Sequence, residues 1–207
     1  MLEKRQKGRS MIEMLGVLAI IAVLAGGVYG VANMAMARMK TNQVIDLVQT
    51  LIYDLRTANM VRGHYYGNTE EGFSGQNADL RKYLIEKKIV PVSLCAKDCA
   101  TSGYALTHPL GEKLDFSVPK SDSVPGQTMS IILEGLNRKS CTYIVSSDWS
   151  TGGGTSNTIQ EMKVNTDNTY NEYPVNAKDA ASACAAGGSN NRIEFILRPM
   201  KLSQVSS

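Results

Sequence analysis

The feature that most constrains this chain of 207 residues is an apolar run, residues 14–37, that contains no charged side chain. As an α-helix these 24 residues would span about 36 Å, enough to cross the roughly 30 Å hydrocarbon core of a bilayer. The eight residues at the front hold three basic side chains and one acidic one. Because basic flanks stay in the cytoplasm, we expect the rest of the chain to lie outside the inner face of the membrane.

The charge and composition of the chain exclude several classes of protein. With 22 basic and 19 acidic residues, the net charge of +3 is too small for a basic nucleic-acid groove or an acidic disordered tail. The sequence therefore predicts no direct nucleic-acid partner. The composition also excludes a collagen, a solenoid, a disordered protein and a polytopic membrane protein. What remains is one hydrophobic segment in front of a soluble domain.

Two ordinary interpretations of the apolar run each leave something unexplained. A cleaved secretory signal could end at the Ala-Met-Ala sequence of residues 35–37, but the run is longer than the usual ~7–15 residues of a signal core. A helical pattern also continues through Arg38. A plain membrane anchor explains the length but not Glu13, because an ionised group at that depth costs about 2.5–3.5 kcal/mol on insertion scales.

Residues 8–15, Gly-Arg-Ser-Met-Ile-Glu-Met-Leu, resemble the processing site of the type IV prepilins. In that family a short basic leader ends in glycine, a prepilin peptidase cuts after it, and the fifth mature residue is glutamate. The resemblance implies a leader of residues 1–8, cleavage between Gly8 and Arg9, and N-methylation of Arg9. Most family members begin with Phe, Met or Leu, so Arg9 is a departure. The resemblance also implies a precursor in the bacterial inner membrane and an extracellular pilus after assembly.

Glu13 has a physical role in this interpretation. Cleavage after Gly8 creates a free α-amine, and an isolated carboxylate inside a bundle of helices is costly unless it is paired. The amine of a neighbouring copy's Arg9 could neutralise Glu13. Such a pair adds little net stability once desolvation is counted, but it can specify the axial register between subunits. We therefore expect Glu13 to be an assembly residue.

The apolar pattern changes after residue 37. Apolar side chains then recur at i, i+3, i+4 and i+7, the spacing of an amphipathic helix that covers a sheet with one face. They are Val44, Leu47, Val48, Leu51, Ile52 and Leu55. The predicted fold class is α+β: a long N-terminal helix, its hydrophobic half protruding, packed on an antiparallel β-sheet head with a disulfide-closed C-terminal region.

This pattern divides the chain into segments. Residues 9–37 form the predicted transmembrane and assembly helix, residues 38–62 its amphipathic second half, and residues 63–207 a globular head. The head has a connecting region, 63–126, broken into turns by four prolines, and a sheet and disulfide region, 127–207. We predict strands at 128–134, 140–146, 159–164 and 192–198, and short helices at 79–88 and 179–186.

Four cysteines follow the apolar run: Cys95, Cys99, Cys141 and Cys184. In an oxidising compartment disulfides are the default, and the sequence alone allows three pairings. We favour Cys95–Cys99 and Cys141–Cys184, and the resemblance supports this choice because pilins close their C-terminal variable region with a cystine. The cysteine spacing is poor for zinc, and His64 and His108 show no ligand pattern. No metal or cofactor is predicted.

The sequence contains no phosphate-binding, zinc-protease, nucleophile-elbow or dinucleotide-binding motif. It therefore predicts a protein that is not an enzyme. Tyr65, Tyr66 and Trp149 could form a binding patch, although such aromatic residues are more often packed or engaged in subunit contacts.

Together the resemblance and the residues favour a structural subunit of a type IV pilus, most similar to type IVb major pilins of the bundle-forming type. Its partners would be copies of itself in a helical homopolymer, the prepilin peptidase, and an inner-membrane assembly platform with its ATPase. The filament would serve adhesion, aggregation or cell contact. A minor pilin or a type II secretion pseudopilin is one alternative, and a membrane-anchored periplasmic binding protein is another.

Overall fold

The computed structural model describes residues 11–59, 65, 75–76, 78–118, 128–150, 158–166 and 168–197. The chain divides into two compact units, residues 1–39 and residues 40–207. The finer divisions that the sequence suggests within the second unit stay predictions.

The first element is a long helix, α1, that spans Met11–Asn59. From residue 41 onward one stripe of this helix is buried, at spacings of three and four residues that repeat the helical period. The buried stripe comprises Thr41, Val44, Val48, Leu51, Ile52, Leu55 and Asn59. Its apolar members belong to the same hydrophobic cluster as the side chains of the sheet. The predicted amphipathic pattern is therefore confirmed, with Leu47 partly buried at its border.

The described residues form one antiparallel sheet of seven strands. In chain order they are β1 (Gly75–Gln76), β2 (Leu106–Thr107), β3 (Lys113–Val118), β4 (Met129–Leu136), β5 (Ile159–Val164), β6 (Asn168–Tyr170) and β7 (Asn191–Leu197). Their spatial order is β1-β3-β4-β7-β5-β6, and β2 pairs with β3. The last strand of the chain therefore lies between β4 and β5, near the middle of the sheet.

Side chains alternate between the two faces of the sheet, as the period of two in a strand requires. On one face, Ile131 of β4 and Phe195 of β7 are opposite each other and fully buried in the core cluster. On the other face, Ile132 of β4 is opposite Glu194 of β7, and Asp115 of β3 is opposite Ile132. One face thus builds the core and the other carries charged residues.

The described part of the head also contains three short helices, α2 (Ala78–Glu86), α3 (Arg138–Val145) and α4 (Ala177–Ala186), and a 3-10 turn at Val92–Leu94. The predicted helices at 79–88 and 179–186 match α2 and α4, and the strands at 128–134, 159–164 and 192–198 match β4, β5 and β7. These five predictions are confirmed to within about two residues, the usual scatter of element ends.

The prediction of a strand at 140–146 is wrong, because this segment lies in α3. The side chain of Asn137 accepts a hydrogen bond from Ser140 N at 2.9 Å and caps the helix. The buried side chains Cys141, Ile144 and Val145 follow the i, i+3, i+4 spacing of a helix rather than strand alternation. The β-branched residues misled the sequence interpretation.

The connecting region also holds more strand than predicted. β3 alternates Leu114, Phe116 and Val118 toward the core, and it pairs with β4. The connecting region therefore contains a paired strand in addition to the turns predicted at its prolines. The sequence Thr-Gly-Gly-Gly-Thr at residues 151–155, which indicates a loop, lies outside the described residues.

Trp149 is a core residue. It is 1% exposed, its Nε1 donates to Ile144 O at 2.9 Å, and its ring centroid lies 4.7 Å from that of Phe195. Tyr65 is also fully buried. The interpretation of these two aromatic residues as a surface binding patch is therefore wrong. Tyr66 lies outside the described residues.

Candidate functional site

The N-terminal part of α1 exposes an unusual amount of apolar surface. Its large apolar side chains between residues 11 and 39 are 54–86% exposed. They are Met11, Ile12, Met14, Leu15, Val17, Leu18, Ile20, Ile21, Val23, Leu24, Tyr29, Val31, Met34, Met36 and Met39. Exposed apolar patches of this extent are typical of membrane or protein-interaction surfaces.

In the described part of the chain, α1 alone is long and apolar enough to cross a membrane. Glu13 lies in its first turn, where a carboxylate interacts favourably with the unpaired N–H groups of the helix end. The side chain of Glu13 is exposed. Gly8 and Arg9, the expected cleavage and methylation positions, lie outside the described residues, as does the expected leader, residues 1–8.

The buried part of α1 makes polar contacts as well as apolar ones. Thr41 Oγ1 lies 3.2 Å from Ser140 Oγ at the start of α3. At the other end, Asn59 Nδ2 donates to Leu55 O at 2.7 Å. Burial raises the pKa of Tyr65 to about 12, although the nearby Arg56 partly opposes this shift. The contact of Thr41 joins α1 to α3, whereas the hydrogen bond of Asn59 lies within α1 itself.

The structure pairs Cys141 with Cys184 and Cys95 with Cys99, the two disulfides favoured above. Cys141 and Cys184 are fully buried and join α3 to α4. Cys95 and Cys99 are partly exposed and close a small loop after the 3-10 turn. Among the described residues, no group of three or more His, Cys, Asp or Glu side chains could hold a metal ion.

Two asparagines connect α4 to the sheet. Asn165, between β5 and β6, donates through Nδ2 to Ala183 O at 2.9 Å and to Asn191 Oδ1 at 3.1 Å. Its Oδ1 accepts from Arg192 N at 3.0 Å. Asn191 is fully buried and donates to Leu136 O and Gly188 O, both at 3.0 Å.

The asparagine network leaves no room for a side chain at Gly187. A Cβ atom built there would lie 2.8 Å from Cγ of Asn191 and 3.0 Å from Oδ1 of Asn165. The C-terminal end of α4 can therefore approach the sheet closely only because residue 187 is glycine. The disulfide and this network together attach α4 at two points.

An ion cluster connects α2 to the sheet on its charged face. Asp115 is 1% exposed, and its carboxylate lies 2.8 Å from Arg81 Nη1 and 3.2 Å from Lys113 Nζ. Lys113 Nζ also lies 3.2 Å from Glu134 Oε2. Burial alone would lower the pKa of Lys113, but its hydrogen bonds to Glu134 and Asp115 outweigh this effect and raise it. Buried carboxylates require such partners.

Known proteins resemble this chain both in the N-terminal motif and in the fold. Residues 4–29 match the model of the prokaryotic N-terminal methylation motif. The fold is similar to the crystal structure of the type IVb pilin from Salmonella typhi, with a TM-score of 0.51 and 17% identity over 76% of this chain and 96% of that one. The fold of this chain is type IV pilin-like.

A second solved structure shares the fold. TcpA, a type IV pilin from Vibrio cholerae El Tor biotype, has a TM-score of 0.50 and 10% identity, over 76% of this chain and 98% of that one. Among curated proteins, none is significantly similar in sequence to the pilin-like chain. The methylation motif and the apolar helix fit a membrane-anchored precursor.

Sequence reasoning on this pilin-like chain missed the residues that brace its head. Asn165, Asn191 and Asp115 belong to no motif, and each has at least one partner that is 18 to 55 residues away along the chain. One signal was available for Asp115, because Lys113, two positions earlier in the strand, places an opposite charge on the same face. The asparagines offered no comparable signal.

Proposed function

We propose that this chain is the major structural subunit of a type IVb-like pilus. The observation that carries the proposal is the exposed apolar surface of residues 11–39, which overlaps the N-terminal methylation motif of residues 4–29. One face of the same helix is buried in the head from residue 41 onward. A helix that is apolar on all sides needs an apolar environment, either lipid or other helices.

The apolar segment occupies two environments of similar polarity, first lipid and then other helices. As a precursor, the segment lies in the inner membrane, where lipid covers its apolar side chains. In the filament, the same side chains contact the helices of neighbouring copies. Because both environments are apolar, the transfer does not have to overcome the cost of exposing that surface to water, about 25 cal/mol per Å².

Glu13 then specifies the axial register between neighbouring copies in the filament. Cleavage after Gly8 leaves Arg9 as the mature N-terminus, and the α-amine of one copy pairs with the Glu13 carboxylate of another. A buried pair of this kind contributes mainly specificity, since desolvation offsets much of its attraction. N-methylation of Arg9 gives a secondary amine, which is still basic and can carry the same positive charge as the unmethylated α-amine.

The proposed partners supply the activities that cleavage and assembly of the chain require. A prepilin peptidase removes residues 1–8, and an inner-membrane assembly platform with its ATPase extracts subunits and adds them to the filament. The chain itself acts as a structural subunit rather than an enzyme. The assembled filament lies outside the cell, where it serves adhesion, aggregation or cell contact.

The test is to express the full chain in cells that carry a type IVb pilus machinery, and to measure the mass of its N-terminal peptide and the composition of surface filaments. We expect a mature N-terminus at a methylated Arg9 and filaments built mainly from this chain. We expect Glu13→Gln to be cleaved but to form few filaments, or filaments with an altered axial rise. Asp46→Asn removes an exposed carboxylate from the same helix and is the matched control, expected to assemble normally.

Other outcomes of this experiment would contradict the proposal or favour one of the alternative functions. An intact Met1 or a mature N-terminus at Arg38 would contradict the proposal and favour a membrane-anchored periplasmic protein or a secretory signal. Cleavage after Gly8 with the chain present in only a few copies per filament would favour a minor pilin or pseudopilin. Normal filaments with an unchanged rise in Glu13→Gln would refute the register role of Glu13.

A further inference from the structure

His108 is a buried histidine in the loop that joins β2 to β3. It is 2% exposed, and its ring contacts two backbone groups. Nε2 lies 3.0 Å from Glu134 O on β4, and Leu110 N donates to Nδ1 at 3.3 Å. The backbone closes the same loop, because Gly111 N donates to His108 O at 2.7 Å and His108 N donates to Glu112 O at 2.9 Å.

The two ring contacts define the protonation state of His108. A carbonyl oxygen only accepts, so Nε2 must carry a hydrogen and donate it to Glu134 O. A backbone N–H only donates, so Nδ1 must be unprotonated to accept from Leu110. Only the neutral ring with hydrogen on Nε2 satisfies both contacts. The charged ring carries a hydrogen on each nitrogen, which places two donors 3.3 Å apart at Leu110.

The loop fits closely against an irregularity in β4. The register of β4 and β7 shifts between Leu133 and Leu136, and Gly135 within this bulge has a φ of 76°. A Cβ atom at Gly135 would lie 2.7 Å from Cβ of Glu112 in the loop. The loop therefore contacts the bulge through the His108 ring on one side and through Glu112 on the other.

Among the described charged groups, Glu112 on the loop acts electrostatically on the ring. The neighbouring charges of Lys113, at the start of β3, and Glu134, on β4, are paired with each other at 3.2 Å. Burial lowers the pKa of His108 below its usual value, although the hydrogen bond to Glu134 and the charge of Glu112 act in the opposite direction. The neutral ring is thus the form that the folded loop favours.

We propose that His108 is an acid-sensitive clasp, which holds the β2–β3 loop against the β4 bulge while its ring is neutral and releases the loop when the ring gains a second proton. Release breaks the contact between Leu110 N and the ring and frees the loop backbone to open. This behaviour belongs to the head alone and does not depend on filament assembly.

The direction of the pH effect follows from linkage. The opened loop binds the proton at about the unperturbed pKa of 6.5, whereas the closed loop binds it only at lower pH. The closed state therefore has its full stability above pH 6.5 and loses it as the pH falls through the lowered pKa of His108. Within this window the opening equilibrium changes by up to about tenfold per pH unit.

The test uses the full chain in detergent micelles. His64→Gln leaves His108 as the single histidine, so ¹⁵N-histidine labelling reports its tautomer and its titration midpoint. We expect the Nε2-protonated tautomer at pH 7.5 and a midpoint below pH 6.5. Hydrogen-exchange protection of the Leu110 and Gly111 amides should fall as His108 is protonated, by up to about tenfold per pH unit.

A variant separates the clasp from general acid unfolding. Gln at position 108 offers an amide N–H₂ to Glu134 O but does not titrate, so His108→Gln should remove the acid-dependent loss of protection. His64→Gln should retain it. A midpoint at or above pH 6.5 would overturn the proposal. So would protonation of His108 with unchanged protection at Leu110 and Gly111, or an acid-dependent loss that persists in His108→Gln.

Discussion

Asn191 illustrates how single residues brace the head of this chain. Its side chain donates to two carbonyl oxygens and accepts from Asn165, so three of its hydrogen-bonding positions are occupied in a fully buried place. Asn190, the preceding residue, is exposed. The two neighbours therefore have the same side chain in opposite environments.

Asn191→Ala should destabilise the head markedly. The change leaves Leu136 O and Asn165 Nδ2 with fewer partners inside the protein, and an unsatisfied buried polar group costs about 1–3 kcal/mol. Asn190→Ala is the matched control and should change the free energy of unfolding by less than about 0.5 kcal/mol. Urea unfolding of the full chain in detergent micelles, followed by the fluorescence of the single tryptophan, Trp149, measures both. Equal effects of the two variants would contradict the role assigned to Asn191.

Some residues of the candidate site were predictable from the sequence and others were not. Glu13 stands out because an acid beside an apolar run is rare and expensive. The cysteines stand out because few pairings of four are possible. His108 and Asn165 do not stand out, because their roles depend on backbone groups that the fold brings near them from other elements.

At the scale of elements, the two disulfides should contribute unequally. Cys141–Cys184 has a sequence separation of 43 and joins α3 to α4, whereas Cys95–Cys99 has a separation of 4. In the chain-entropy model, closing these loops stabilises the folded state by about 4 and about 2 kcal/mol respectively, because a longer loop restricts the unfolded chain more.

Replacing each pair by serine tests this expectation. The double variant with Cys141→Ser and Cys184→Ser should lose more unfolding free energy than the variant with Cys95→Ser and Cys99→Ser, by about 2 kcal/mol. Urea unfolding of both proteins after expression in an oxidising compartment gives the comparison. A greater loss from the Cys95–Cys99 pair would contradict it.

The elements also show where periodicity is a reliable guide. Periodicity, together with β-branched residues, indicated β4, β5 and β7, whereas the alanine-rich sequence indicated α4. Periodicity failed for α3, an eight-residue helix with a β-branched residue at Thr142 and two more near its end. It overlooked β2 and β6, which are too short to show a period.

At the scale of the whole molecule, the two compact units should behave differently in water. A fragment of residues 40–207 keeps the buried stripe of α1 and all seven strands, but lacks the exposed apolar side chains of residues 11–39. We expect this fragment to be a soluble monomer without detergent, whereas the full chain requires it.

A shorter fragment provides the control. Residues 60–207 lack the whole buried stripe of α1, so their sheet would expose its apolar face to water. We expect this fragment to aggregate, as measured by size-exclusion chromatography of both fragments. Aggregation of the 40–207 fragment, or a stable monomer from 60–207, would show that the head does not depend on α1 in this way.

The apolar segment, the long helix and the α+β class follow from local patterns, because hydrophobicity and periodicity act over short distances along the chain. The processing motif is identified by its resemblance to type IV prepilins, which is also confined to a short segment. The position of β7 between β4 and β5, the burial of His108 and the contacts of Asn165, Asn191 and Asp115 do not follow from such patterns. They depend on contacts between groups that are distant in sequence, which form only when the core packs. The neighbours of one strand are determined by the packing of all the other strands.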